Sequence, residues 1–164
     1  MTQFYIPMNI DETEPSVVLD QTFDFTISNY GFGDLSDDRC IEIYKDGIVF
    51  SHFIERWLEE MFELVHVNGC KQYDFHDKAH PHILYDEKTF THNGCKYCPS
   101  NMLGQGRIFN KEVFEEKSKK MIFCIVSNVN FPHIRVKFVK GEVLMQKYPL
   151  GVIGIKHHDE FFGV

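Results

Sequence analysis

The chain has no run of 18 apolar residues, so no membrane-crossing helix is expected. Its amino terminus, MTQFYIPMNIDETEP, lacks the basic start and apolar middle of a secretory leader, and a cytoplasmic location is expected. Cysteine is scarce and odd in number, five spread along the sequence, which argues against a disulfide framework. No GxSxG, HExxH or P-loop spacing occurs, so no nucleophile elbow, zincin helix or phosphate-cradling loop is signalled. Basic residues are outnumbered, 17 Lys and Arg against 24 Asp and Glu, which disfavours a polyanionic partner. There is no internal repeat and no low-complexity linker.

What is present is apolar and aromatic: 43% hydrophobic residues, with 16 Phe and 7 Tyr, enough for a packed core in 164 residues. A single globular domain over 1–164 is expected. The charge is uneven. Residues 1–66 hold 14 Asp and Glu against 3 Lys and Arg, whereas from 67 onward 14 Lys and Arg exceed 10 Asp and Glu. The first part therefore favours a basic partner.

The organising stretch is Cys40 to Val65. Ile41 and Ile43 alternate with Glu42 and Tyr44, which predicts a strand. Asp46-Gly47 predicts a turn leading to a second short strand. Ser51 is the expected cap of one strong amphipathic helix. Phe53, Ile54, Trp57, Leu58, Met61, Phe62 and Val65 recur at helical spacing, and Glu55, Glu59, Glu60 and Glu63 lie opposite them. Like charges at i, i+4 weaken an isolated helix, so this face either stands in solvent or awaits a cation.

Elsewhere, Phe4 to Ile10 predicts a short edge strand, and Thr22 to Ile27 a strand with Phe23, Phe25 and Ile27 on one face. Asn29 to Asp38 reads as a loop carrying Asp34, Asp37 and Asp38; Asp11, Glu12 and Glu14 form another acidic loop. Asn110 is placed to cap a helix running to about Lys120. MIFCIV, Met121 to Val126, reads as a strand buried on both faces. Ile134 to Val139 alternates, Lys140-Gly141 predicts a hairpin turn with Glu142 to Met145 returning, and Val152 to Ile155 a last strand. The tail HHDEFFGV shows no clear element. The expected fold class is α+β, a mostly antiparallel sheet with one main amphipathic helix and one or two shorter helices.

From Asn68 to Gly106 regular patterning is lost, apart from short strands expected at Lys71 to Phe75 and His82 to Tyr85. Cys95-Lys-Tyr-Cys98 could give two thiolates to zinc, with Cys70, His76, His80, His82 and His92 in the same segment to complete four ligands. A redox reading would need the pair at a helix start after a strand, and Pro99 follows instead. His76 and His80 with Asp74 and Asp77 could make a metal-dependent hydrolytic site. Gly104-Gln-Gly106-Arg107 is a glycine-rich turn without a phosphate fingerprint. Arg135, Lys137, Lys140 and Lys147, interleaved with Phe131, Phe138 and Tyr148, form a modest basic stripe that reads as a solvated strand face.

The stretches Phe23-Asp-Phe-Thr-Ile27, Cys40-Ile-Glu-Ile-Tyr44, and Asp46-Gly47 followed by Phe50-Ser51-His-Phe-Ile-Glu-Arg-Trp57-Leu-Glu-Glu60 resemble small immunity proteins of bacterial toxin systems, the contact-dependent growth-inhibition type among them. That resemblance implies a non-enzymatic protein that occludes the active site of a cognate toxin domain, often a basic nuclease. It implies no catalytic residue and no cofactor, and the acidic charge balance separately predicts neither a nucleic-acid nor a membrane partner. The expected binding residues are Glu55, Glu59, Glu60 and Glu63, the Asp34/Asp37/Asp38 loop, and Tyr30 and Phe32 as aromatic anchors. The alternative is a zinc-stapled domain with an accessory or hydrolytic function using the segment from Cys70 to Cys98.

Overall fold

A computed structural model describes residues 14–69, 72–98 and 108–164. The strand expected at Phe4 to Ile10, the acidic residues Asp11 and Glu12, Cys70 and the Gly104 to Arg107 turn lie outside the described residues.

The most apolar run forms the strand around which the rest is layered. Strand β6 (Met121–Ser127) is buried along its whole length, as MIFCIV demands. Its register with β7 (His133–Lys140) is antiparallel, and β7 pairs in turn with β1 (Thr22–Thr26). On its other side β6 runs parallel to β4 (Leu84–Phe90). A parallel pair needs a crossover, and here the crossover carries α3 (Lys111–Ser118), capped by Asn110 as its sequence requires. Strands β3 (Phe75–Asp77) and β2 (Leu64–His66) complete the sheet by antiparallel pairing, giving the order β1-β7-β6-β4-β3-β2. The fold is thus α+β with a mostly antiparallel six-stranded sheet.

Each face of the sheet is covered. Ile122, Cys124 and Val126 of β6 pack with Phe50, Ile54 and Leu58 of helix α2 (Gly47–Met61). Phe123 and Ile125, pointing the other way, pack with Phe114 of α3, Leu144 of α4 (Gly141–Lys147) and Phe161 and Phe162 of α5 (His158–Phe162). Full burial of each such side chain is worth about 1.5–3 kcal/mol. A small second sheet pairs β5 (Cys95–Lys96) with β8 (Val152–Ile153). Among the described residues no helix is long and apolar enough to cross a membrane.

Several local expectations are corrected. Cys40 to Tyr44 is not a strand but the end of helix α1 (Asp37–Tyr44). Ser36 caps it, and Asp37 and Asp38 sit in its first turn, where the helix dipole favours carboxylates. Cys40 and Tyr44, one helical turn apart, face the core, while Ile43 is 42% exposed, so the period-2 alternation was misleading. Asp46-Gly47 makes no hairpin: Asp46 Oδ1 accepts from Ile48 N (2.9 Å) and Val49 N (3.0 Å), and starts α2 four residues before Ser51. Ser51 instead donates to the Ile48 carbonyl within that helix. The earlier start adds Phe50 to the buried stripe of Ile54 and Leu58, while Phe53 at 58% and Met61 at 47% exposure lie off it. Val65 belongs to β2 rather than to the helix. Lys140-Gly141 opens α4 instead of a turn. Gly141 is required there because a Cβ would collide with the Ser118 carbonyl. The tail forms a short 3-10 turn and α5, held by Phe161 and Phe162 in the core.

Candidate functional site

Strand β4 carries three consecutive charged residues, Asp86-Glu87-Lys88, near the middle of the sheet. Asp86 is 5% and Glu87 4% exposed. Ionised groups are rarely buried so deeply unless they are paired or functional. The topology explains how they meet. Strand β3 pairs with β4 only through Phe75 and His76, opposite Tyr85 and Leu84. Among the described residues no strand pairs with that edge of β4 beyond Tyr85. Asp74, the residue before β3, fills the gap with its carboxylate, Oδ2 accepting the Glu87 backbone N–H at 2.7 Å.

Around this open edge the Lys88 ammonium gathers oxygens. Lys88 Nζ lies 2.7 Å from Asp86 Oδ2 and donates to the Glu87 carbonyl at 2.7 Å. Asp86 Oδ2 is buried, and its close partners are the Lys88 ammonium, in an ion pair at 2.7 Å, and the neighbouring Asp74 carboxyl. Burial pushes the Asp86 carboxyl up to about 7; Lys88 pulls it down and the neighbouring Asp74 pushes it back up. Burial would discharge Lys88, but Asp86, Asp74 and Glu87 more than offset this and hold its pKa above the ordinary lysine value. The Glu87 side chain points to the α2 face and accepts from Thr89 Oγ1 at 2.9 Å.

Asp74, Glu87 and Lys88 open onto a cleft of about 670 Å³ between the start of α2 and the β4–β5 connection, with Asp86 buried behind Lys88. Glu55, Asp74, Glu87 and Lys88 line it, with Ser51, Thr91, Asn93 and Lys96 toward the rim.

Glu87 gives the site a stability signature. Burial pushes its pKa from an ordinary 4.5 to about 8. Between those values the folded state holds a proton that the unfolded chain has released, so stability falls as pH rises through that window. In a chelating buffer, Glu87→Gln is expected to exceed the wild type by on the order of 3 kcal/mol at about pH 9, the gap closing toward about pH 4.5. Urea unfolding at the two pH values measures it; a gap independent of pH would show Glu87 to be ionised throughout.

The residues expected to bind a partner are dispersed. Glu55 Oε2 lies 3.0 Å from His66 Nε2, and Glu59 Oε1 accepts the His66 backbone N–H at 2.8 Å. Glu63 pairs with Lys78 at 3.2 Å, and Glu60 is exposed. Asp34 is exposed, while Asp37 and Asp38 serve the first turn of α1. Tyr30 is half-buried, edge-on to Phe131, and Phe32 is 75% exposed.

Of the metal candidates, Cys95 and Cys98 are buried, and burial pushes both thiols up. His76 donates to the Asp77 carbonyl, and His80 and His82 contact each other ring to ring. Asp77, expected beside Asp74 in a hydrolytic site, is a structural acceptor instead. Among the described residues no three His, Cys, Asp or Glu side chains are preassembled as a metal cage. A Ser127–His158–Asp159 chain, with contacts of 2.8 and 2.9 Å, has the residue types of a nucleophilic triad. Ser127 is only 3% exposed, however, and the chain pins α5 against the sheet.

Sequence reasoning missed Asp86, Glu87 and Lys88. The available signal was three charges in a row inside the apolar frame Ile-Leu-Tyr-Asp-Glu-Lys-Thr-Phe, which an ordinary buried strand does not tolerate. No protein-family model, no curated protein and no solved structure matches this chain.

Proposed function

We propose that the chain is a divalent-cation-dependent hydrolase of phosphodiesters, with a nucleic-acid strand as the polymer that carries them. One observation carries the reading: at an unpaired strand edge the Asp86 carboxylate and the Glu87 carbonyl converge on a single ammonium, with the Asp74 carboxylate beside them. A hard cation such as Mg²⁺ prefers oxygen ligands. It is commonly held by one or two carboxylates, with water and substrate phosphate completing its shell, rather than by a full protein cage. The oxygens of Asp74, Asp86 and the Glu87 main chain are such a set, and they suit zinc poorly.

Bound there, the cation would polarise a phosphoryl oxygen and acidify a water. The chain's own groups do the rest. Asp74, on the cleft wall, and Asp86, buried behind Lys88, would hold the cation. Lys88, released from Asp86, faces the negative charge that grows on the phosphoryl oxygens in the transition state. A carboxylate on the opposite wall takes the proton of the attacking water. A bond forms from the water oxygen to phosphorus, the ester P–O bond breaks, and the leaving oxygen takes a proton from solvent. The overall acidity opposes phosphate binding, so substrate binding is expected to depend on the cation as well.

The neutraliser expected from the acidic helix has less support, because Glu55 and Glu59 are engaged within the chain. The test is incubation with duplex DNA, single-stranded DNA and RNA, with Mg²⁺ or Mn²⁺ and with a chelator. Cleavage of at least one polymer that stops on chelation is the expected result. No cleavage of any, together with no Mn²⁺ binding by calorimetry, removes the proposal.

A further inference from the structure

Across the cleft from β4, the Glu55 carboxylate is held by an unusual chain of side chains. Arg56 is its neighbour on α2. Arg56 Nη1 contacts His66 Nδ1 at 2.9 Å, and Arg56 Nη2 donates to Asn68 Oδ1 at 2.6 Å. A guanidinium is always protonated and can only donate. His66 Nδ1 must therefore be the acceptor, and the ring carries its proton on Nε2. That proton points at Glu55 Oε2, 3.0 Å away. The imidazole is fixed in place as well, since its backbone N–H is taken by Glu59 and its ring lies edge-on to Phe75 at 5.5 Å. Among the described residues the charged groups that meet the ring are Glu55, Arg56 and Glu59, all from α2, and β3 supplies an aromatic face.

Any neutral histidine bonded through both ring nitrogens holds one tautomer; what distinguishes this one is the carboxylate it serves. Here an arginine, itself anchored on Asn68, selects the form that donates to a carboxylate lining the cleft. One oxygen of Glu55 is committed to His66, which fixes the orientation of the other. We infer that His66 is a positioning residue, locked by Arg56 in the Nε2–H form, that orients Glu55 to accept the proton of the attacking water. The inference rests on the hydrolytic reading for the role of Glu55. The arrangement of His66 can be tested without it.

The first measurement is the nitrogen spectrum of the His66 ring in the full chain. The expected result is one Nε2–H tautomer in the wild type and a tautomer mixture in Arg56→Met. A wild-type ring that is mixed, or protonated at Nδ1, overturns the positioning claim whatever the activity. The second is cleavage kinetics with Mn²⁺ on whichever polymer the wild type cuts. His66→Ala is expected to lower kcat ~20-fold with KM and Mn²⁺ affinity within about twofold. His66→Gln, whose amide can still donate, is expected to recover most of the rate. Glu55→Gln is expected to cost at least as much as His66→Ala, and the double variant no more than Glu55→Gln alone. If Asp86→Asn abolishes cleavage while His66→Ala cleaves like the wild type, the inference fails and the hydrolytic reading stands. If no form cleaves or binds Mn²⁺, the hydrolytic reading fails and the base role of Glu55 falls with it.

Discussion

Lys88→Met is expected to bind Mn²⁺ more tightly than the wild type and to hydrolyse on the order of 10³-fold more slowly, a barrier increase of about 4 kcal/mol. The two effects have opposite signs because one side chain has two jobs. In the structure Lys88 Nζ takes the place of a cation among oxygens, 2.7 Å from Asp86 Oδ2 and 2.7 Å from the Glu87 carbonyl. A divalent ion must displace that ammonium, so removing the charge removes a competitor. In the proposed transition state the same ammonium would face developing negative charge, so removing it would cost rate. Methionine keeps the length of the stem and its packing along the strand. Asp86→Asn is the contrasting variant. It deletes a ligand and leaves Lys88 with one charged neighbour fewer, so binding and hydrolysis are expected to fall together. Calorimetric titration with Mn²⁺ and single-turnover cleavage separate the two variants. Loss of Mn²⁺ binding in Lys88→Met would mean that the lysine holds the edge together and does not stand in for a cation.

Asp77→Ala is expected to cost about 3–5 kcal/mol of folding stability at neutral pH, a large share of what a domain of this size has. The carboxylate is fully buried and accepts five hydrogen bonds. Ser16 donates from its backbone N–H and its hydroxyl, each at 2.7 Å, Tyr85 from its hydroxyl at 2.8 Å, and Ala79 and His80 from their backbone N–H groups at 3.0 and 3.1 Å. Alanine would leave the buried Tyr85 hydroxyl without its acceptor and take from Ser16, Ala79 and His80 the charge-assisted bonds that tie them together. It would also release the segment at Ser16 from the β3–β4 connection.

The pH dependence follows from the same contacts. Burial alone would raise the Asp77 pKa, but the bonds from Ser16, Tyr85 and His80 outweigh it and hold the value below an ordinary 3.8. A depressed carboxyl stabilises the fold above its unfolded pKa and loses that contribution as pH falls through the folded one. The gap between wild type and Asp77→Ala is therefore expected to stay constant down to about pH 4 and to narrow below it. Urea unfolding at neutral and acid pH measures both; a neutral gap under about 1 kcal/mol would show that water replaces the carboxylate without loss.

The sequence by itself determined the elements whose pattern is local. The continuous apolar run at Met121 to Val126 has one outcome in a packed chain, a strand covered on both faces. The Asn110 cap and the alternations in β1 and β7 are equally direct, and together they give the α+β class. Elements with two consistent patterns were decided elsewhere. Ile41 and Ile43 suit a strand, yet Cys40 and Tyr44 suit a helix. The Ser36 cap and the packing of Tyr44 on Phe131 favour the helix.

The candidate site was hidden for a related reason. Asp86, Glu87 and Lys88 are consecutive, and consecutive side chains on a strand point apart. They act at one place only because β3 stops short, leaves the β4 edge open and puts Asp74 beside it. Asp74 was legible as a candidate ligand, but its partners were sought among His76, His80 and Asp77, its neighbours in sequence. Glu55 was legible as an acidic helix residue. Only the packing of α2 over the sheet turned it toward the cleft and placed His66 behind it. Periodicity records which face of an element is apolar. Where two strands part is set by the register of the whole sheet, and that choice brought these charges together.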